Sequence, residues 1–403
     1  MSFVTVRQTL FTVHKWVGLV LGLFLAALGL SGSVLVYDDA IGNLLDRPPQ
    51  ALTAGMPLPL SMIQSIARDA AEQQGVHGGQ MQIILPEKPL QPITVRLGGI
   101  SVMGNMPGMN AQRQPGGERR EGARRGERRE GAQGGGRAGG LQLFIDPVSG
   151  EVLGSRKTAA PGLLIFAHQL HGNFLMGREG RTYVVGWLGV AMCILGLSGL
   201  VLWWPKKGQW KYAFKVRSTA TGLRFHRELH AATGIWIFVV FILVSFSGVV
   251  IAWPQTFGMP SGRGTLPSVE PADGRRLGAT EAVIAAQRAV SGLEARSVTI
   301  PAAPDQPISV SYLSHDAINA TAYVDPYRGT VLSVRDPSGS FMAWMRPVHQ
   351  GSLGAVWKFL VFLSGLVPTL FVVTGVVMWA KKRRRHVPMN EPLSDALAEG
   401  EPA

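Results

Sequence analysis

Cysteine is almost absent from this chain. Cys193 is the only one in 403 residues, so a disulfide scaffold is excluded, and so is covalent c-type haem, which needs two cysteines in a Cys-x-x-Cys-His run. Acidic residues are also scarce, 26 against 39 lysines and arginines. No Ser-His-Asp arrangement, zinc-protease helix, phosphate loop or dinucleotide fingerprint is evident. Nothing in the sequence offers a nicotinamide or flavin site.

What the chain has in abundance is apolar runs. Val13–Tyr37, Tyr183–Trp204, Gly234–Trp253 and Leu353–Ala380 each reach about 20 residues or more, the thickness of a bilayer's hydrocarbon core. A soluble enzyme is thereby excluded. The net charge of +13 does not point to nucleic acid, because the basic residues flank alternate membrane ends. Arg7 and Lys15 flank the first run, Lys206, Lys207, Lys211, Lys215 and Arg217 follow the second, and Lys381 to Arg385 follow the fourth. The positive-inside rule then places both termini and the 205–225 loop in the cytoplasm, and the long segments 38–167 and 254–340 outside. The first run is too long for a signal-peptide core, so it reads as an uncleaved helix. The expected location is a bacterial inner membrane, with "outside" the periplasm.

The chain is written twice. His14 and His230 stand 216 residues apart, and each lies 18 residues before a Ser-Gly pair, Ser31-Gly32 or Ser247-Gly248. Gln91-Pro92-Ile93-Thr94-Val95 returns as Gln306-Pro307-Ile308-Ser309-Val310, 215 residues on. Asp146-Pro147 with Gly150 returns as Asp325-Pro326 with Gly329 at an offset of 179, and His171 returns as His349 at 178. The register slips across residues 101–140, a Gly-, Arg- and Glu-rich insertion read as a disordered, solvated loop. The expected order is therefore helix 1 (1–37), an outer domain (38–167), an outer histidine segment with helix 2 (168–204), a cytoplasmic loop (205–225) and helix 3 (226–253). A second outer domain (254–340), a second histidine segment with helix 4 (341–380) and a tail (381–403) complete it. The fold class is an all-α four-helix membrane core with two α+β outer domains, an internal duplication of helix, domain and helix.

Each outer domain begins with a helical pattern, Ser61–Gln74 or Glu281–Val290, followed in the first half by strands at Gln82–Leu85, Ile93–Leu97, Leu141–Ile145 and Glu151–Gly154. The last two strands flank an Asp-Pro-x-x-Gly turn, in which Pro sets φ and Gly permits the exit. The hairpins at 146–153 and 325–332 resemble PepSY domains. The segments VHKWVGLVLGLF (13–24), HQLHGNFLMG (168–177), HRELHAATGIW (226–236) and VHQGSLGA (348–355) resemble the PepSY-associated transmembrane family, in order and over nearly the whole chain outside 101–140. That family includes inner-membrane ferric-siderophore reductases with b-type haem. The resemblance implies two b-type haems and a haem-dependent ferric-siderophore-type reductase.

Six of the nine histidines lie in or beside the membrane segments. His14, His226 and His230 fall on the inner side, His168, His171 and His349 on the outer. Two histidines at i and i+4, or i and i+3, of one helix point the same way and cannot clamp one iron. The repeat instead pairs His14 with His230 for an inner haem and His171 with His349 for an outer one, each ligand on its own helix. His226 and His168 have no counterparts, since Leu10 and Arg346 stand at the equivalent positions; they remain propionate partners, supporting groups or alternative ligands, and the outer ligand stays open between His168 and His171. Each membrane helix also carries a small pair, the other two being Ser198-Gly199 and Thr374-Gly375. These fall at the haem levels, where a macrocycle would need relief from backbone. Eighteen helical residues rise about 27 Å, a gap that two haems divide into tunnelling steps. The tryptophans at the membrane ends form an interfacial belt, with Trp357 a lesser candidate contact for electrons or substrate. Met103, Met106 and Met109 form a secondary soft-metal candidate for Cu(I).

The leading expectation is a di-haem b oxidoreductase that passes electrons across the membrane to a periplasmic ferric siderophore or other iron complex, releasing Fe(II). A quinol or a cytoplasmic protein would supply the electrons, and membrane lipid is the only other partner. The alternative is a non-redox, membrane-anchored binding module that senses or inhibits peptidases, which leaves the repeated histidines idle. A permease is disfavoured because the four apolar runs hold no carboxylate. The expected topology has a direct check: a periplasm-dependent reporter fused at Lys382 stays inactive and a cytoplasm-dependent one is active, and the reverse result overturns the orientation.

Overall fold

The structure is a computed structural model of the chain, and it describes residues 3–51, 53–98, 140–157, 162–257, 266–290, 292–313, 319–336 and 340–384. Met103, Met106, Met109 and the 101–139 part of the insertion lie outside the described residues. In chain order the helices are α1 (Phe3–Val36), α2 (Asp38–Leu45), α3 (Leu60–Gln73), α4 (Gly162–Asn173), α5 (Gly177–Glu179), α6 (Gly186–Trp203), α7 (Trp210–Ala213), α8 (Gly222–Ala252), α9 (Ala279–Ala289), α10 (Phe341–Gln350) and α11 (Ala355–Arg384). The strands are β1 (Met81–Ile84), β2 (Ile93–Leu97), β3 (Leu141–Ile145), β4 (Val152–Arg156), β5 (Ala295–Ile300), β6 (Ile308–Leu313), β7 (Asn319–Val324) and β8 (Val331–Arg335).

Among the described residues, four spans are long and apolar enough to cross a membrane: Thr5–Val36, Gly180–Trp203, Gly222–Ala252 and Ala355–Arg383. They match the four apolar runs to within one or two residues at the end shared with each run, but the first and third helices begin a few turns earlier, so His14 and His230 sit well inside continuous helix. Each span satisfies its own backbone polar groups, the condition for crossing hydrocarbon. The four close into a ring in which α1 touches α11 and α6, and α8 touches α6 and α11. Thus α1 and α8 face each other across one diagonal. The short helix α4 leans on α1, and α10 leans on α8. Leu25, Leu28, Met192, Ile237, Phe241 and Val367 belong to the apolar centre of the bundle.

Hydrophobic force between helices fades in lipid, so close contact needs small residues. The α1–α11 seam has them. A Cβ at Gly29 would collide with the Gly365 carbonyl, and one at Gly365 with Ser33 Oγ and the Gly29 carbonyl. Ser33 Oγ also donates to the Phe362 carbonyl at 2.8 Å.

Above one end of the bundle, all eight strands form one antiparallel sheet in the order β4-β3-β2-β1-β5-β6-β7-β8. The sequence reads two outer domains; their strands meet edge to edge at β1–β5, where Ile83 pairs with Val298. Both of these side chains are fully buried. Burial of a side chain of that size contributes about 1.5–3 kcal/mol. Helices α3 and α9 supply Ile63, Ala67, Ala282 and Ala286 to the same core. The period-2 strand pattern is clear in β2, where Ile93, Val95 and Leu97 are buried and Thr94 and Arg96 are not fully so.

The Asp-Pro-x-x-Gly turns form as their sequence dictates. Asp146 Oδ1 accepts from the Val148 and Ser149 N–H groups, and Asp325 Oδ1 from those of Tyr327 and Arg328. Gly150 and Gly329 take φ of +75° and +70°, the left-handed region that a Cβ disfavours. Burial alone would push the Asp146 carboxyl up, but N–H donors from Ser149, Val148 and Thr53 outweigh it and hold it at about 2.

The glycine seam generates a prediction. Gly365→Val should cost about 1–3 kcal/mol through overpacking, lowering the detergent-solubilised protein's Tm by several degrees, while Gly375→Val, which meets nothing within 4 Å, should leave it within error.

Candidate functional site

The bundle brings together both histidine pairs that the repeat suggests. His14 on α1 and His230 on α8 face each other across the diagonal with ring centroids 6.2 Å apart and planes at 72°. His171 on α4 and His349 on α10 face each other with centroids 5.8 Å apart and planes at 36°. Their Nε2 atoms approach to 3.5 Å.

The hydrogen bonds behind each ring decide its chemistry. His171 Nδ1 lies 2.8 Å from the Leu28 carbonyl and His349 Nδ1 lies 2.9 Å from the Val244 carbonyl. A carbonyl oxygen can only accept, so each Nδ1 carries the proton and each Nε2 presents a lone pair. His349 also has Ser247 Oγ at 3.4 Å from Nδ1. In the other pair, His14 Nδ1 is 2.8 Å from Ser198 Oγ, and His230 Nδ1 is 2.7 Å from Thr374 Oγ1. Those hydroxyls donate their own protons to backbone, Ser198 to Leu195 and Thr374 to Leu370. They therefore accept from the imidazoles, and again Nε2 is left as the lone-pair atom.

Two lone pairs aimed at each other across 3.5 Å repel unless an electron-pair acceptor lies between them. This is the arrangement that metal-binding histidines use: one nitrogen donates to a carbonyl or hydroxyl, which fixes the tautomer and orients the other toward the metal. Four neutral imidazoles, two per level and each level fed by opposite sides of the bundle, fit two bis-histidine haem irons. Among the described residues no group of three or more His, Cys, Asp or Glu is placed to hold a metal ion.

Spacing along the helices sets the two levels. Leu28 lies fourteen residues beyond His14, and Val244 fourteen beyond His230, about 21 Å of helix rise. The small pairs serve the rings themselves. A Cβ on Gly32 would stand 2.7 Å from His171 Cε1, and one on Gly248 would stand 2.9 Å from His349 Cε1. Gly199 leaves His14 Cε1 at 3.4 Å, whereas Gly375 faces open space. Gly32 and Gly248 thus make room for imidazoles, and Ser198 and Thr374 hold the other two.

The remaining candidates fall elsewhere. His168 Nε2 sits 3.7 Å from Asp38 Oδ2 at the sheet end of the bundle, its side chain 40% exposed, whereas His171 makes the facing contact. His226 Nδ1 is buried without a hydrogen-bond partner, beside the Phe225 ring. Trp357 donates Nε1 to the Val348 carbonyl at 2.9 Å, tying α11 to the residue before His349. Trp203, Trp204, Trp210 and Phe214 pack edge to face at the opposite end, where the Arg217 guanidinium donates through Nε and Nη2 to one oxygen, Oε1, of Glu228 and its backbone N–H donates to the other. Sequence reasoning missed the Leu28 and Val244 carbonyls, which no side chain announces.

The model of one protein family, the PepSY-associated TM region, matches residues 11–382. Comparison with curated proteins finds no match.

If the imidazole pairs hold haem and the hydroxyls orient them, Ser198→Ala and Thr374→Val should each weaken haem retention about 10–100-fold. Haem titration into purified apoprotein checks this, and unchanged affinity in both variants would show that the hydroxyls do not set the imidazoles.

Proposed function

The chain belongs to the family of PepSY-associated transmembrane proteins, and on that premise we propose that it is a di-haem b oxidoreductase of the bacterial inner membrane. It carries electrons to an acceptor on the sheet side, a ferric siderophore or similar iron complex, and Fe(II) is released there. A quinol or cytoplasmic partner donates the electrons at the His14–His230 end. The observation that carries this reading is the forced tautomer of four facing imidazoles, two Nε2 lone pairs per level.

His14 and His230 would hold one iron, and His171 and His349 the other. Bound haem supplies one-electron redox chemistry and tolerates both iron charge states in an apolar setting. The chain's own residues do the rest. The Leu28 and Val244 carbonyls and the Ser198 and Thr374 hydroxyls keep each Nδ1 protonated, which holds the ligand nitrogen neutral and correctly aimed. Leu25, Met192, Ile237 and Phe241 fill the space between levels and exclude water. Phe371 lies against His230 with centroids 4.5 Å apart and limits its rotation.

The reading also takes the chain to be an internal duplication with both termini cytoplasmic and the sheet periplasmic. Its support is the recurrence of contacts at repeat-related positions: Leu28 with Val244, Gly32 with Gly248, and a sheet order that reads alike from either end. The siderophore itself rests on family membership, since fold alone does not fix substrate.

The test is haem content and the reduced-minus-oxidised spectrum of purified protein. Wild type should carry about two b-type haems per chain. His14→Ala and His230→Ala should each remove one and the same haem, His171→Ala and His349→Ala the other, while His226→Ala and His168→Ala keep both. A colourless wild type rejects the redox reading, and loss of one spectroscopically identical haem in the His14 and His349 variants rejects the pairing.

A further inference from the structure

The face of the sheet that carries α3 and α9 holds a cavity of about 670 Å³ at the seam of the two four-stranded halves. That is the size of an ordinary small-molecule site. Both halves build it. Its floor is apolar, formed by Met81, Leu97 and Ile300 at the ends of three neighbouring strands. Its rim is cationic: Arg68 from α3, with Arg275 and Arg276 from the segment before α9, against a single acid, Glu72.

These arginines have donors to spare. Among the described residues Arg276 Nε is buried without a hydrogen-bond partner, and Nη2 reaches the Pro301 and Ala303 carbonyls, both at a long 3.4 Å. Its guanidinium lies over the Tyr327 ring at 5.9 Å. Arg275 meets its nearest acid, Glu281, only at 3.8 Å, with its side chain 84% exposed. A buried guanidinium donor left unmade is costly, and the planar fork of a guanidinium is best satisfied by an oxyanion on its remaining N–H groups.

We propose that this cavity binds a small organic carboxylate, its anionic group on Arg276 and Arg68 and its carbon body on the Met81–Leu97–Ile300 floor. The two parts of the wall call for both parts of the ligand. An inorganic anion would leave the floor wet, and a neutral aromatic would leave the guanidinium unpaired. The seam location gives the site a property that neither half has alone, since the ligand spans the β1–β5 junction and favours its closure. The proposal stands apart from the redox reading, because it requires no haem and lies on the sheet face covered by α3 and α9.

The test uses the full chain in nanodiscs with three probes: 2-naphthoate, 2-naphthalenemethanol and inorganic phosphate. Calorimetric titration should give saturable 2-naphthoate binding at one site per chain, with the alcohol and phosphate at least tenfold weaker. Arg276→Gln and the exposed Arg68→Gln should each weaken 2-naphthoate at least tenfold, with haem content and Tm unchanged for Arg68→Gln. Saturable binding that is equal for the alcohol, equal for phosphate, or untouched by Arg68→Gln overturns the assignment, as does no saturable binding by wild type.

Discussion

A carbonyl oxygen has no proton to give. From that constraint follows the state of the two outer imidazoles, since the Leu28 and Val244 carbonyls oblige His171 and His349 to protonate at Nδ1. Everything else at this level is arranged to allow it. Gly32 and Gly248 are flat enough for each ring to reach its carbonyl across a helix surface. The short helices α4 and α10 lean on opposite members of one diagonal, so the rings converge instead of lying side by side. At the other level, hydroxyls replace carbonyls. A hydroxyl could donate or accept, and it is the further bonds to Leu195 and Leu370 that commit Ser198 and Thr374 to accepting.

The bundle and the sheet solve the same problem with different forces. In lipid, helices gain little from burying leucine, so α1 and α11 close on glycine and a serine-to-carbonyl bond. The sheet is packed by water-driven burial instead, with Ile83, Val95, Leu143, Val298, Val310 and Tyr312 fully enclosed. Tyr327 N–H and Val148 N–H occupy matching positions in the two Asp-Pro turns, each two residues after its aspartate.

Much of this was legible in the residues. Apolar runs located the spans because bilayer thickness leaves few alternatives, and strand Ile93–Leu97 was readable to the residue because alternation leaves no slack. The pairing of His14 with His230, and of His171 with His349, followed from two offsets and the impossibility of clamping an iron from one helix face. Three features were not legible. Backbone acceptors carry no side-chain signature, so Leu28 and Val244 look like any other apolar positions. The glycines were visible, but whether they relieve a ring or a helix depends on interhelical packing. The joining of β1 to β5 was hidden because each half carries its own complete hairpin pattern, and an edge strand reads like an inner one when both faces are covered. His168 was set aside from His171 only by place: three residues displace it to the sheet end, beside Asp38.

That junction has a consequence for how the chain is made. Strand β1 is complete early, but the neighbour that closes its free edge, β5, emerges roughly 200 residues later, after two more membrane spans. At about 5–20 residues per second this leaves an unpaired edge exposed for about 10–40 s, the condition under which strands recruit the wrong partner. Nascent chains therefore pass through an interval in which the first half is anchored and unfinished. During that interval, neighbouring ribosomes on one messenger would present identical open edges to one another, so spacing between chains becomes part of the folding problem.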